Sequence, residues 1–198
     1  MVMPAAKKPA APAKTTAAKS TAAKTSAAKK PAAPKPAAKA APAAAGPAEG
    51  AAAPAFSMPA SGGRTVSSAS LKGKAYLLYF YPKADTPGCT KQACGVQEAL
   101  PQLGKLGLEI IGVSPDPMKP IEKFAEKYKL TFPLASDEDH KVAEAYGTWV
   151  EKSMYGKTYM GMERSSFLID GAGKVRKVWR KVKPEEHAAQ VMEAAKGL

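Results

Sequence analysis

Apolar positions along this chain fall into short blocks set apart by proline, glycine and polar clusters, and the period changes from block to block. The run Ala75-Tyr76-Leu77-Leu78-Tyr79-Phe80-Tyr81 is uniformly apolar and rich in aromatics. A run so short predicts a central strand covered on both faces. Residues 82–88 read as a loop by composition. From Cys89 onward the apolar residues are Cys89, Ala93, Val96, Leu100 and Leu103, in alternating steps of four and three that line one face of a helix. Pro101 has no amide donor, which predicts a kink or an end of regular hydrogen bonding near Gln97. A second strand is expected over residues 108–113. A helix should follow from about Pro117, capped by Asp116, with Ile121, Phe124, Ala125 and Tyr128 on its apolar side. A short helix over residues 137–146 stops at Gly147, and strands over 165–169 and 175–179 flank the turn Asp170-Gly171-Ala172-Gly173. A last helix from near Pro184 buries Ala188, Val191 and Met192.

Strands alternating with helices and closing on a hairpin and a helix predict an α/β fold, a mixed central sheet with helices on both faces. A thioredoxin-like arrangement satisfies this order. In such sheets chemistry sits beyond the carboxyl end of a central strand, which is where residues 82–89 fall. Composition divides the chain in two. Residues 1–50 hold nine lysines, one acid (Glu49), eight prolines and no aromatic residue, and neither Leu nor Ile occurs before Leu71. With almost nothing to bury, such a segment cannot offset the entropy of its own ordering. Residues 1–52 are therefore expected to be a disordered Ala/Lys/Pro arm, and residues 53–198 one well-filled domain. The arm also carries most of the net charge of +13, so the basicity says little about the chemistry of the body.

Cys89 and Cys94 are the two cysteines. Cys89 falls in the predicted first turn of a helix, where unpaired amides and the helix dipole favour an anionic sulfur. Five positions along a helix turn through about 500° and rise about 7.5 Å, so the two side chains diverge. A disulfide needs Cα atoms about 4.4–6.8 Å apart. Either the two never pair, or the helix unwinds locally when they do.

The segment Tyr79-Phe80-Tyr81-Pro82-Lys83-Ala84-Asp85-Thr86-Pro87-Gly88-Cys89-Thr90-Lys91-Gln92-Ala93-Cys94 resembles the active-site stretch of the bacterioferritin comigratory protein (peroxiredoxin Q) family. Pro82, Thr86 and Cys89 meet its Pro-x-x-x-Thr-x-x-Cys pattern, and Cys94 stands where the optional resolving cysteine lies. Residues 134–140 and 164–170 extend the likeness, which spans about residues 53–198 and leaves the arm outside. The resemblance implies a peroxidase that reduces hydrogen peroxide and organic hydroperoxides. In it Cys89 attacks the O–O bond and becomes a sulfenic acid, Thr86 orients thiolate and peroxide, and Arg164 stabilises negative charge and holds the substrate. Pro82 shields the pocket. Cys94 resolves the sulfenic acid to a disulfide, which a thioredoxin-type dithiol reduces. The family is often monomeric.

Other readings of the same residues are weaker. A thioredoxin-like disulfide oxidoreductase expects Cys-x-x-Cys, and the gap here is four residues. A zinc site needs about four ligands at suitable spacing, which two cysteines with distant His140 and His187 do not supply; neither metal nor other cofactor is implied. Trp149, Tyr155 and Tyr159 read as core or rim packing. The lysines of residues 1–50 suit non-specific contact with nucleic-acid phosphates, or a solubilising tether. No apolar stretch approaches the roughly 18–20 residues needed to cross a bilayer, and the N-terminus lacks the apolar core of a secretory signal. The expected setting is the reducing cytoplasm, without a membrane partner.

Overall fold

In the computed structural model, residues 46–198 apart from Tyr155 are described. The expected arm lies outside the described residues over positions 1–45. The order of elements is β1 (Ser57–Ala60), β2 (Arg64–Ser67), β3 (Ala75–Phe80), α1 (Pro87–Lys105), β4 (Leu108–Ser114), α2 (Met118–Lys127), β5 (Leu134–Ser136), α3 (Lys141–Ala145), β6 (Trp149–Met154), β7 (Lys157–Met162), β8 (Ser165–Ile169), β9 (Val175–Trp179) and α4 (His187–Ala195). Seven strands form one mixed sheet in the order β2-β1-β5-β4-β3-β8-β9, and β6 with β7 makes a separate hairpin.

β3 lies deep in the sheet because it has nothing polar to show to water. It pairs in parallel with β4 and antiparallel with β8. Its alternation separates two cores. Leu77, Tyr79 and, just beyond the strand, Tyr81 pack with α1, α2 and α4, whereas Tyr76, Leu78 and Phe80 pack with Phe56, α3 and Tyr146. The crossovers β3-α1-β4 and β4-α2-β5 both join parallel neighbours, and crossovers of one hand put their helices on one face. The sheet thus has helices on both faces, three on one and one on the other. A side chain at Gly112 of β4 would place its Cβ 2.8 Å from the Tyr79 ring and 2.7 Å from Leu134. Glycine there lets Tyr79 lie flat across the neighbouring strand.

Several expectations are corrected. Pro101 does not end α1, which continues to Lys105; burial of Leu103 holds the last turn in place. Asp116 does not cap α2, whose N-cap is Pro117. The helix expected over 137–146 is helical only from Lys141 to Ala145, with the Asp137 carboxylate accepting from the amides of Val142 and Ala143 ahead of it. The last helix starts at His187 rather than near Pro184, and buries His187, Val191 and Ala195. β5 and the β6–β7 hairpin were not expected. Hydrogen bonding to the body also begins ahead of residue 53. The Gly50 amide donates to Val175 O, the Val175 amide to Ala51 O, and the Val178 amide to the Glu49 carboxylate. Among the described residues no helix is long and apolar enough to cross a membrane.

Candidate active site

The loop between β3 and α1 is clamped at both ends of its short course. Where the strand stops, the Tyr81 amide still donates to Val113 O at 2.9 Å. Asp116 Oδ2 then accepts from the Ala84 amide at 2.6 Å and from Ser114 Oγ at 2.9 Å, tying the loop to the end of β4. Asp85 sits in the left-handed region at φ 56°, a conformation aspartate adopts more readily than most residues. Its carboxylate accepts from Lys127 Nζ and from Tyr128 OH, each at 2.8 Å. The Lys127 contact, with help from Tyr128, holds the Asp85 carboxyl below the usual carboxylate range. Thr86 is the N-cap of α1 with an extended backbone (φ −99°, ψ 152°), and Pro87 takes the first helical position, where its missing amide costs nothing. The Thr86 hydroxyl donates to Lys83 O at 3.0 Å. It therefore closes the loop on itself and leaves the Thr86 oxygen's lone pairs as its remaining polar capacity.

Cys89 is the third residue of α1 and is only 2 % exposed. Its sulfur lies 3.3 Å from Nη2 of Arg164, which enters from the residue just before β8. The other guanidinium nitrogen, Nη1, donates to Gln92 Oε1 at 2.6 Å and to Gly88 O at 3.3 Å. The Arg164 backbone is pinned in turn, its carbonyl accepting from the Val182 amide. A Cβ on Gly88 would approach Arg164 Nη2 to 3.2 Å, so the glycine makes room for the guanidinium against the helix start. Gln92, 1 % exposed, reaches His187 Nδ1 with its amide nitrogen at 3.1 Å. His187 is wholly buried beside the Tyr79 and Trp179 rings. Burial, with a smaller push from Arg164, lowers its pKa from 6.5 to about 4.

Three more side chains shape the field. Lys152 on β6 donates to Met162 O, and its pKa is lowered chiefly by burial and also by Arg164, while Glu163 and Cys89 act in the opposite sense. Tyr79 and Tyr81 have hydroxyls that are buried without a hydrogen-bond partner among the described residues. Burial chiefly raises both phenols above their usual range, with Tyr81 and Cys89 adding to it for Tyr79, and Asp116 and Cys89 for Tyr81. Among the described residues the sulfur thus has the Arg164 guanidinium against it, the Lys152 ammonium within electrostatic reach, and the Tyr79 and Tyr81 rings in the same core.

Of the residues singled out from sequence, Cys89 and Arg164 are in contact, Thr86 is one turn back with its hydroxyl on Lys83, and half-buried Pro82 opens the loop. Cys94 stands five residues along the same unbroken helix, partly exposed, and both thiols are free. Burial and Glu98 raise the Cys94 pKa. An intact α1 keeps the two sulfurs from pairing. Asp116, Gln92 and His187 were missed. The legible signal was a glutamine at position 92, three after Cys89 and four before Val96, on the stripe that otherwise carries only apolar side chains.

Against known proteins, the chain matches the AhpC/TSA family over residues 50–178. It is 48% identical over 137 residues to a protein named putative peroxiredoxin bcp from Coxiella burnetii, covering 69% of this chain and 91% of that one. It is also 48% identical over 132 residues to peroxiredoxin Bcp of Escherichia coli K12, covering 67% and 85%. Among solved structures, peroxiredoxin Q of Xanthomonas campestris superposes with a TM-score of 0.69 at 40% identity, covering 72% of this chain and 90% of that one. The bacterioferritin comigratory protein of the same organism, described for its alkyl peroxide reduction activity, gives the same TM-score at 39% identity.

Proposed function

Because the chain belongs to the AhpC/TSA family and is a thiol peroxidase, we propose that Cys89 is the thiol that attacks peroxide and that Arg164 stabilises the charge that moves in that step. The observation that carries this reading is the 3.3 Å contact between Arg164 Nη2 and Cys89 Sγ at the first turn of α1. The thiolate sulfur forms a bond to one peroxide oxygen as the O–O bond breaks. The leaving oxygen departs with the bonding electrons and takes a proton, giving water or an alcohol, while Cys89 becomes a sulfenic acid. Charge builds on oxygens beside a fixed guanidinium, a donor that needs no reorganisation at the moment of reaction. The Thr86 oxygen would help to orient the peroxide, and Pro82 would shield the site.

In the second step Cys94 attacks the sulfenic sulfur, an S–S bond forms, and hydroxide leaves as water after taking a proton. The buried position of Cys89 and its place on the same helix as Cys94 support local unwinding of α1 as the way the two meet. A thioredoxin-type dithiol would then return both thiols, completing an antioxidant cycle suited to a reducing compartment such as the cytoplasm. The alkyl peroxide activity of the Xanthomonas protein supports organic hydroperoxides beside hydrogen peroxide as substrates, and the family likeness a monomer. The nine lysines of residues 1–50 support a second, sequence-independent contact with nucleic acid, which should weaken steeply with salt and vanish when that segment is removed.

Peroxide consumption coupled to thioredoxin, its reductase and NADPH tests the central claim. Cys89→Ser should reduce turnover to background, and Cys94→Ser should still consume one equivalent of peroxide but stall with a sulfenic acid. Full activity in Cys89→Ser would remove Cys89 from the role.

A further inference from the structure

His187 is a buried histidine at the start of the last helix, nearly a hundred residues from the reactive cysteine in sequence, and the chemistry above makes no use of it. Its surroundings are specific. Arg164 Nη1 can only donate, so the Gln92 atom 2.6 Å away must be the carbonyl oxygen Oε1. That orientation turns the Gln92 NH₂ toward His187 Nδ1 at 3.1 Å. An amide NH₂ can only donate, so Nδ1 must accept and the ring proton sits on Nε2, which has no partner among the described residues. The contacts form one directed chain: His187 Nδ1 accepts from Gln92, Gln92 Oε1 accepts from Arg164, and Arg164 Nη2 lies against Cys89 Sγ.

We propose that His187 is a positioning residue of the peroxidase site, which fixes the amide orientation of Gln92 and through it aims the Arg164 guanidinium at Cys89. An imidazole that cannot accept breaks the chain at its far end. Gln92 would then gain by turning over, and its NH₂ would face Arg164 Nη1, donor against donor. The groups that face the ring from the elements packed on it are Gln92 of α1, Tyr79 of β3, Trp179 of β9 and, through Gln92, Arg164. None is an acid that would stabilise an imidazolium, and the lowered pKa agrees with a ring held neutral at working pH. The two tethered elements, α1 and α4, are also direct neighbours and share one core that holds Ala93, Val96 and Val191, so the amide and the imidazole keep their registry while α1 is folded.

The proposal rests on Cys89 as the peroxide-reactive thiol, so Cys89→Ser serves as the control for that premise. Two variants separate positioning from simple support. His187→Leu fills the space without an acceptor, whereas His187→Asn puts a carbonyl oxygen near the place of Nδ1 and cannot be protonated. The readout is the second-order rate of Cys89 oxidation by hydrogen peroxide in reduced protein, beside the rate of alkylation by iodoacetamide, which does not need charge stabilisation on a leaving oxygen. Misplacing the guanidinium by a fraction of an ångström should lower the peroxide rate of His187→Leu by about ten- to a hundredfold, and the alkylation rate far less. His187→Asn should recover most of the loss and should lack the acid limb by which the wild-type rate falls as pH approaches about 4. In a Gln92→Leu background, His187→Leu should cost nothing further, because both act through one contact. A peroxide rate in His187→Leu within twofold of wild type, equal damage in the Asn and Leu variants, or full additivity with Gln92→Leu would overturn the proposal while leaving Cys89 in its role. Should His187→Leu fail to fold, the acid limb of wild type against His187→Asn decides the matter alone.

Discussion

Arg164 serves three acceptors from one planar group: Cys89 Sγ, Gln92 Oε1 and Gly88 O. An ammonium carries the same charge but donates from a single nitrogen on a flexible stem, and cannot span these acceptors together. Arg164→Lys should therefore keep the fold and lower the rate of Cys89 oxidation by about a hundredfold, equivalent to about 2.7 kcal/mol of barrier. Stopped-flow oxidation by hydrogen peroxide would measure it, and a variant within a few-fold of wild type would show that charge alone suffices. At this scale the sequence was most legible where chemistry is local. Cys89 stood at a strand-to-helix junction, its motif held Thr86, and the family resemblance over residues 164–170 pointed to Arg164. What stayed hidden was the polar support. Gln92 and His187 are ordinary helix residues until α4 folds back on α1, and whether a glutamine or histidine on an apolar stripe finds a partner is a tertiary fact that spacing cannot carry.

At the scale of the element, α1 has to do two opposed things. On the mechanism proposed above it stays helical to hold Cys89 against Arg164, and it would open to bring Cys94 to the sulfenic acid. Gly95, directly after Cys94, lowers the cost of opening, since glycine gains more backbone freedom on unwinding than any other residue. A Cβ there would meet only the Ala188 Cβ at 3.9 Å, an ordinary contact. Gly95→Ala should thus stabilise α1 by about 0.5–1 kcal/mol and slow disulfide formation by about two- to fivefold, with the first oxidation unchanged. Mass spectrometry of trapped Cys89 after one equivalent of peroxide would read it as a longer-lived sulfenic acid and more sulfinic acid at excess peroxide. Unaltered resolution would mean that unwinding does not limit that step. The same helix shows where periodicity is trustworthy. Its apolar stripe marked α1 correctly, and of the two outcomes expected at Pro101, a kink or an end, the end does not occur, because burial of Leu103 outweighs one missing bond. Short elements such as β5 and the β6–β7 hairpin carry too few periods to be read before their neighbours are in place, and α3 was placed but read too long.

For the whole molecule, the consequence is a pH dependence of stability. His187 titrates near its ordinary value of 6.5 when unfolded and near 4 when folded. Between those values the unfolded chain binds the extra proton, so stability rises with pH across the window and is lost as pH falls through it. Above about pH 6.5 the group contributes nothing further. Asp137 works the other way: burial raises its carboxyl pKa against the two amides that hold it, so the folded state keeps its proton longer and acidification relieves that cost. The two slopes oppose, and wild type alone would hide the histidine. The comparison with His187→Asn isolates it. Urea unfolding at pH 5 and pH 7 should show wild type losing about 2 kcal/mol more than the variant on acidification. That loss falls on the contact that joins α4 to the first turns of α1, so acid should loosen the peroxidase site before it unfolds the sheet. Protection of the α1 amides, after correction for the intrinsic pH dependence of exchange, should accordingly fall between pH 7 and pH 5 in wild type while β3 and β4 keep theirs. Identical slopes in the two proteins would mean that the imidazole is not held neutral in the fold.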